Sequence, residues 1–147
     1  MKTLKLLFAA AVLMIGLSAC TSENVTHDAT VIPKNARDII SQNFTSAISV
    51  VKEEKSMGSV SEYEVTLTDG TDITFNANGD WKSVETPVSR AVPEGLIPTA
   101  ISRYVKEKHA GAYIDGIEKN KKGYEVDLSN GVDIQFDSSG NFVSYSK

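Results

Sequence analysis

Cysteine is nearly missing from this 147-residue chain, which contains only Cys20. A single thiol excludes an intramolecular disulfide and any cysteine-based metal site. Histidine is almost as scarce, with His27 and His109 the only two. No G-x-S-x-G nucleophile elbow is present. A Ser-His-acid arrangement would have to recruit His109, whose place near the end of an apolar-periodic segment fits a helix C-terminus better. Positive charge is also in deficit, at 15 Lys and Arg against 19 Asp and Glu. Nucleic-acid phosphates call for a basic surface, so that class of partner is disfavoured. These shortages point away from an enzyme and from a cofactor.

Long apolar runs are limited to one, Leu6 to Leu17, flanked upstream by Lys2 and Lys5. Twelve residues are too few for a stable membrane span, and the pattern is that of an export signal. The run ends in Leu17-Ser18-Ala19-Cys20, which resembles the lipobox of bacterial lipoproteins. The resemblance implies cleavage after residue 19 and lipidation of Cys20; the alternative is an ordinary secretory signal with an incidental cysteine. Several acyl chains on one residue hold a protein stably on a bilayer, at about 0.8 kcal/mol per buried CH₂. The expected place is the cell envelope, with the outer membrane favoured because Thr21 rather than aspartate follows the cysteine. Whether the chain faces the periplasm or the exterior stays open, and the anchor is the expected membrane contact. Losing Lys2 and Lys5 leaves 13 basic against 19 acidic residues, a formal charge of −6. Residues 20–30, polar and without apolar periodicity, read as a flexible tether in which His27 is solvated.

What the chain has in abundance is self-similarity. Tyr63 to Trp81 (YEVTLTDGTDITFNANGDW) and Tyr124 to Phe142 (YEVDLSNGVDIQFDSSGNF) align without a gap at an offset of 61 residues. Upstream, Ile32-Pro33 with Ala36, Ile39 and Ile40 matches Ile97-Pro98 with Ile101, Tyr104 and Val105. Those spacings put the apolar residues on one helical face. The proline suits the first helical turn, where its missing N–H costs nothing. The expected fold is α+β, two tandem helix-plus-antiparallel-sheet repeats over 31–86 and 91–147. Strands are expected near Ile48–Lys52 and Ile114–Glu118, followed by the quoted hairpins. Four extra residues in the first copy are placed in a polar loop, Glu53 to Ser61.

Side chains alternate faces along a strand, so residues directly opposite must share a face. That condition pairs Leu67 with Thr71, Phe75 with Trp81, Leu128 with Val132 and Phe136 with Phe142. Each turn is then a three-residue loop with glycine last, where positive φ is needed. A unit of about 55 residues buries too little surface to stand alone. The copies are therefore expected to share a core or one sheet, with both helices on its apolar face. The other face would carry Glu64, Thr66, Asp72, Thr74, Glu125, Asp127, Asp133 and Gln135. On a wet face such carboxylates lack the desolvation that acid–base catalysis needs. The loops at 76–80 and 137–141 hold Asn and Asp where calcium could be considered. They lack the spaced ligands of an EF-hand, and turn chemistry accounts for them. Trp81 and Phe142 are expected in the core rather than in an aromatic contact patch with Tyr145.

Helix plus YEVxLxxGxxIxFxxxG, twice, behind a lipobox, resembles the PepSY-like family related to beta-lactamase-inhibitor proteins. The resemblance spans Val31 to Tyr145. It implies a secreted or envelope-anchored, non-catalytic α+β module; the alternating sheet with one open acidic face adds the expectation that this face contacts an unidentified protein or peptide. Two alternatives stand beside that reading. One is a structural or self-associating envelope lipoprotein; the other is an inhibitor of an envelope hydrolase.

Overall fold

The computed structural model describes residues 21–146, so the expected export signal and Cys20 lie outside the described residues. Nine strands form one antiparallel sheet whose order across the sheet is the order along the chain. They are β1 (Thr21–Thr26), β2 (Ile48–Ser56), β3 (Ser59–Leu67), β4 (Asp72–Asn76), β5 (Trp81–Glu85), β6 (Ile114–Asn120), β7 (Gly123–Leu128), β8 (Asp133–Asp137) and β9 (Phe142–Tyr145). Helix α1 (Lys34–Asn43) precedes β2, and α2 (Thr99–Lys108) precedes β6. The α+β architecture, with an open antiparallel sheet and two helices, agrees with the expectation.

The four three-residue turns have the register that face-matching requires. Leu67 N–H donates to Thr71 O (2.8 Å) and Gly70 N–H to Leu67 O (3.0 Å). In the second half Leu128 N–H donates to Val132 O (2.9 Å) and Gly131 N–H to Leu128 O (2.8 Å). Phe75 faces Trp81 and Phe136 faces Phe142. The glycines closing these turns have φ of 87°, 85°, 81° and 80° at positions 70, 79, 131 and 140. Two of them also make room for a helix. A Cβ on Gly79 would sit 2.3 Å from Asn35 Oδ1 and 2.8 Å from Pro33 Cβ, and one on Gly140 would sit 3.1 Å from Ala100 Cβ.

The helices start as their prolines dictate, one position later than expected, with Pro33 and Pro98 at the N-cap. Ala36 and Ile40 of α1 and Ile101 and Val105 of α2 are buried. They join Val51, Val65, Leu67, Ile73, Phe75, Val84, Ile117, Val126, Ile134 and Phe136 in one hydrophobic cluster. Full burial of each large apolar side chain contributes about 1.5–3 kcal/mol, so the cluster supplies the main driving force. The two halves meet at the β5–β6 ladder, where Val84 faces Ile117. The connecting segment is fastened there: Thr86 N–H and its hydroxyl both donate to Asp115 O (2.9 and 3.0 Å). Lys119 Nζ lies 3.5 Å from the Trp81 ring centroid across the same junction, a cation–π contact.

Three expectations are corrected. The segment read as a tether contains strand β1, which pairs with β2 from Thr21 opposite Ser56 to Thr26 opposite Val51. An edge strand of polar residues and an exposed Val25 is held through its backbone, so it needs no apolar stripe. His27 is exposed, and its Nδ1 lies 2.7 Å from Ser49 O. The four extra residues of the first half do not form a loop. They lengthen the β2–β3 hairpin, which closes in two residues, Met57 (φ 54°) and Gly58 (φ 83°). Finally, Phe142 is 40% exposed rather than buried. It stacks on Tyr104 (centroids 5.1 Å, 9° between planes) at the free edge of the sheet. Trp81 is buried as expected, and His109 ends α2, its N–H bonded to Val105 O at 2.9 Å.

Candidate functional site: the acidic open face of the sheet

With both helices on one side, the opposite face of the sheet is left uncovered, and strand alternation sends the polar residues there. A groove of about 330 Å³ crosses its centre, over β2 to β7. Its lining includes Glu54, Glu62, Glu64, Glu85, Glu118, Glu125 and Asp127, with Lys82 as the one cation and Thr74 and Ser83 on the floor. Small-molecule sites of this size are mainly apolar, so this lining suits a charged surface segment better than a drug-like ligand.

The ladder brings acids into direct opposition. Glu54 faces Glu62, Asp72 faces Glu85, Glu118 faces Glu125, and Asp127 faces Asp133. Like charges directly across a ladder destabilise a sheet. Partial relief comes from Lys82, which pairs with Glu62, and from Lys52, whose Nζ lies 3.4 Å from Glu64 Oε2. The remaining repulsion shows in the carboxyl groups themselves. Burial, reinforced by Asp133, Glu125, Asp115 and Glu85, pushes Asp127 up to about 7. Burial also raises Asp133, together with Glu125, against an opposing hydrogen bond from Asp127. Glu118 is raised by burial and Glu125, and Glu54 by burial and its neighbouring glutamates. Of the acids expected to sit in plain water, Asp127 and Asp133 are therefore corrected. Gly116 lies under Asp127, where a Cβ would come within 2.8 Å of the Asp127 carboxylate, and this close packing removes water from the acid.

The corresponding pair in the first half solves the same problem differently. Thr66 Oγ1 donates to Asp72 Oδ1 at 2.6 Å, so one hydroxyl replaces one of the two acids. Of the eight residues predicted for this face, Glu64, Thr74, Glu125 and Asp127 line the groove. Thr66, Asp72, Asp133 and Gln135 lie on the same face beyond that lining. Sequence reasoning missed Glu54, Glu62, Lys82, Glu85 and Glu118. For Glu54, Glu62 and Glu118 the signal was available, since they alternate with Val51, Tyr63 and Ile117. Lys82 escapes simple alternation because a bulge interrupts the β4–β5 ladder there.

The loops weighed for calcium are closed by their own side chains. Asn76 Oδ1 accepts from Asn78 N–H (2.9 Å) and Asp80 N–H (3.0 Å). Asp137 Oδ1 accepts from Ser139 and Asn141 N–H, both at 2.9 Å. Hydrogen bonds from Asn141 hold the Asp137 carboxyl below its ordinary value. Among the described residues, no group of three or more His, Cys, Asp and Glu is placed to hold a metal ion.

Comparison with known proteins places this geometry in a family. The family described as "Putative beta-lactamase-inhibitor-like, PepSY-like" matches residues 61–144. A "putative periplasmic protein of unknown function" from Bacteroides vulgatus is 35% identical, with TM-score 0.80, over 86% of this chain and all of its own. A "putative calcium-regulated periplasmic protein" from Bacteroides thetaiotaomicron is 32% identical, with TM-score 0.77, over 85% of this chain and 97% of its own. A second "putative periplasmic protein" from Bacteroides vulgatus is 29% identical, with TM-score 0.77, over 86% of this chain and 98% of its own. Among curated proteins none matches the chain. The match over more than half the chain, together with a relative of this identity and full coverage, makes the protein a member of the PepSY-like, beta-lactamase-inhibitor-like family.

Proposed function

We propose that the protein is a non-catalytic binding module of the cell envelope whose acidic sheet face holds a cationic segment of a protein or peptide. One observation carries the reading: four acid pairs face each other across the open face. A face that costs stability in isolation is relieved when Lys or Arg side chains enter it, and such complementarity also speeds encounter. The family and its periplasmic relatives agree with an envelope location. Among the described residues no helix is long and apolar enough to cross a membrane. The lipobox-like sequence supports attachment through lipid on Cys20, with the outer membrane favoured. The 61-residue offset and the recurrent turns support descent of the two halves from one duplicated unit. The calcium regulation named for the Bacteroides thetaiotaomicron relative forms no part of the reading, because the corresponding loops here satisfy their own donors.

The test is site-specific photo-crosslinking from Ser83, on the groove floor, in intact cells. A partner captured there should be lost in the double variant Glu64→Lys/Glu125→Lys, and weakened by Asp72→Lys/Asp133→Lys. Capture that survives both charge reversals and is insensitive to salt overturns the sheet-face reading. An envelope hydrolase as the captured partner would narrow the function to inhibition.

A second reading, self-association, has its own support at the far edge of the sheet. Among the described residues strand β9 has no neighbour on one side, and it exposes Phe142, Val143 (59%) and Tyr145 (51%). Sedimentation of residues 21–147 decides it, since a strictly monomeric fragment at high concentration removes it.

A further inference from the structure

One cross-strand row runs through the middle of the acidic groove. It consists of Glu64 on β3, Thr74 on β4, Ser83 on β5 and Glu118 on β6, each directly opposite the next. Between the two carboxylates the row drops to two short hydroxyl side chains. Thr74 is only 8% exposed, although it lies on the open face and lines the groove. Among the described residues neither its hydroxyl nor that of Ser83 has a hydrogen-bond partner. No fully buried side-chain oxygen or nitrogen lacks a partner among these residues, so the Thr74 oxygen opens into the groove.

The second half closes the corresponding position. Gln135 stands 61 residues after Thr74 and faces Ser144 as Thr74 faces Ser83. Its Nε2 donates to Ser146 Oγ at 3.2 Å, so that side chain has its partner. The cations beside the open pair are held by glutamates of β3. Lys82 pairs with Glu62, and Lys52 Nζ lies 3.4 Å from Glu64 Oε2, reaching it from β2 on the side away from Thr74. A hydroxyl sheltered from bulk solvent gains from any ligand that hydrogen-bonds it. With carboxylates at both ends of the row, that ligand should carry positive charge and several donors.

We propose that the Thr74–Ser83 floor seats one primary ammonium, the side-chain tip of a lysine in the bound segment. The inference rests on the acidic-face reading above and adds the chemistry of its central contact. Directly opposed side chains of an antiparallel pair stand about 4.5–5.5 Å apart. A nitrogen about 2.9 Å from each hydroxyl oxygen spans that gap. An ammonium has three donors arranged as a tripod. Two of them meet the Thr74 and Ser83 hydroxyl oxygens, the third meets Glu64 or Glu118, and the alkyl stem leaves the groove upward. A guanidinium instead holds its five donors in one plane and matches a carboxylate edge to edge. The glutamates on the rim serve it better than two hydroxyls set between them.

Two fluorescein-labelled probes, hexalysine and hexaarginine, titrated with the full-length protein in detergent micelles and read by fluorescence anisotropy, provide the test. On a plain acidic surface arginine should bind at least as well, because guanidinium is more weakly hydrated and pairs bidentately with carboxylate. Here hexalysine should bind several-fold more tightly. Thr74→Val/Ser83→Ala should erase that preference and leave the hexaarginine affinity unchanged, whereas Thr74→Ser, which keeps the hydroxyl, should retain it. Circular dichroism checks the fold of the double variant, and Thr74→Val alone gives the same reading should the pair unfold. Equal affinities in the wild type, or a lysine preference that survives loss of the hydroxyls, overturn the ammonium seat and leave the acidic face standing. Binding of neither probe overturns the acidic face, and the seat with it. Spermidine binding more tightly than hexalysine would assign the seat to a free polyamine and overturn the lysine of a bound segment.

Discussion

At the scale of single residues, the contrast between Thr66–Asp72 and Asp127–Asp133 is the most informative feature of the open face. Both pairs occupy the same ladder position, but only the first has a hydroxyl donor. In the second, burial and the facing acids raise both Asp127 and Asp133, so the pair holds a proton more readily than free carboxyl groups do. Asp127 has its pKa raised in the fold, to about 7, above the unfolded value of about 3.9. A raised acid favours the folded state at low pH, and that contribution is lost as pH climbs from about 4 to about 7. Replacing Asp127→Thr should therefore stabilise the protein at pH 8 by about 1–2 kcal/mol, after allowance for solvent screening, and by little at pH 4. Thermal melts across pH 4–8 check this; a wild-type-like slope in the variant would refute the assignment. Glycines at this scale separate two causes. Gly131→Ala meets no neighbour within 4 Å and pays only for its backbone, about 1 kcal/mol. Gly79→Ala adds a collision with Asn35 and Pro33 and should cost about 2–4 kcal/mol in urea unfolding.

At the scale of elements, the β2–β3 hairpin shows how a local rule can be broken visibly. Met57 takes a left-handed conformation that costs a β-carbon-bearing residue about 1 kcal/mol. Met57→Asn should raise the unfolding free energy by about 0.5–1 kcal/mol, read from the denaturant midpoint, because Asn-Gly suits this turn. An unchanged or lower midpoint would show that the methionine side chain stabilises the isolated domain. The turn rules made the four three-residue loops legible in the sequence, since glycine position and face-matching left one register. They could not reveal β1, whose pairing with β2 is a backbone interaction. Phe142 was misread for a related reason. Its alternation is that of a core residue, but β9 is the edge strand among the described residues, and no described strand beyond it completes the burial.

At the scale of the whole molecule, one cluster spans both halves, and Val84 and Ile117 meet at the junction. Unfolding should therefore be a single transition, with Trp81 fluorescence and far-UV circular dichroism coinciding. A fragment of residues 87–147 should lack stable structure, because its helix and strands lose the β5 edge. Independent folding of that fragment would make the halves separate domains. The acid pairs on the open face add a long-range term, screened over about 10 Å at 0.1 M salt. Raising sodium chloride from about 0.02 to about 0.5 M should increase the melting temperature by about 2–4 °C at pH 8, and by less at pH 5.

By itself the sequence determined the α+β class, the helices, the turn register and the sorting of side chains onto two faces. Each of these follows from period, proline and glycine placement over a few residues. It also supplied eight polar positions as a candidate surface. Only the tertiary structure decided that acids of the two halves crowd one groove, because strands β5 and β6 meet across the connection between the halves and set Ser83 opposite Glu118 and Glu85 opposite Gly116. The charge that Glu85 adds beside Asp127, and that Glu62 and Lys82 add beside Glu118, depends on that assembly. Charge repulsion and desolvation act through space, and local pattern has no record of them.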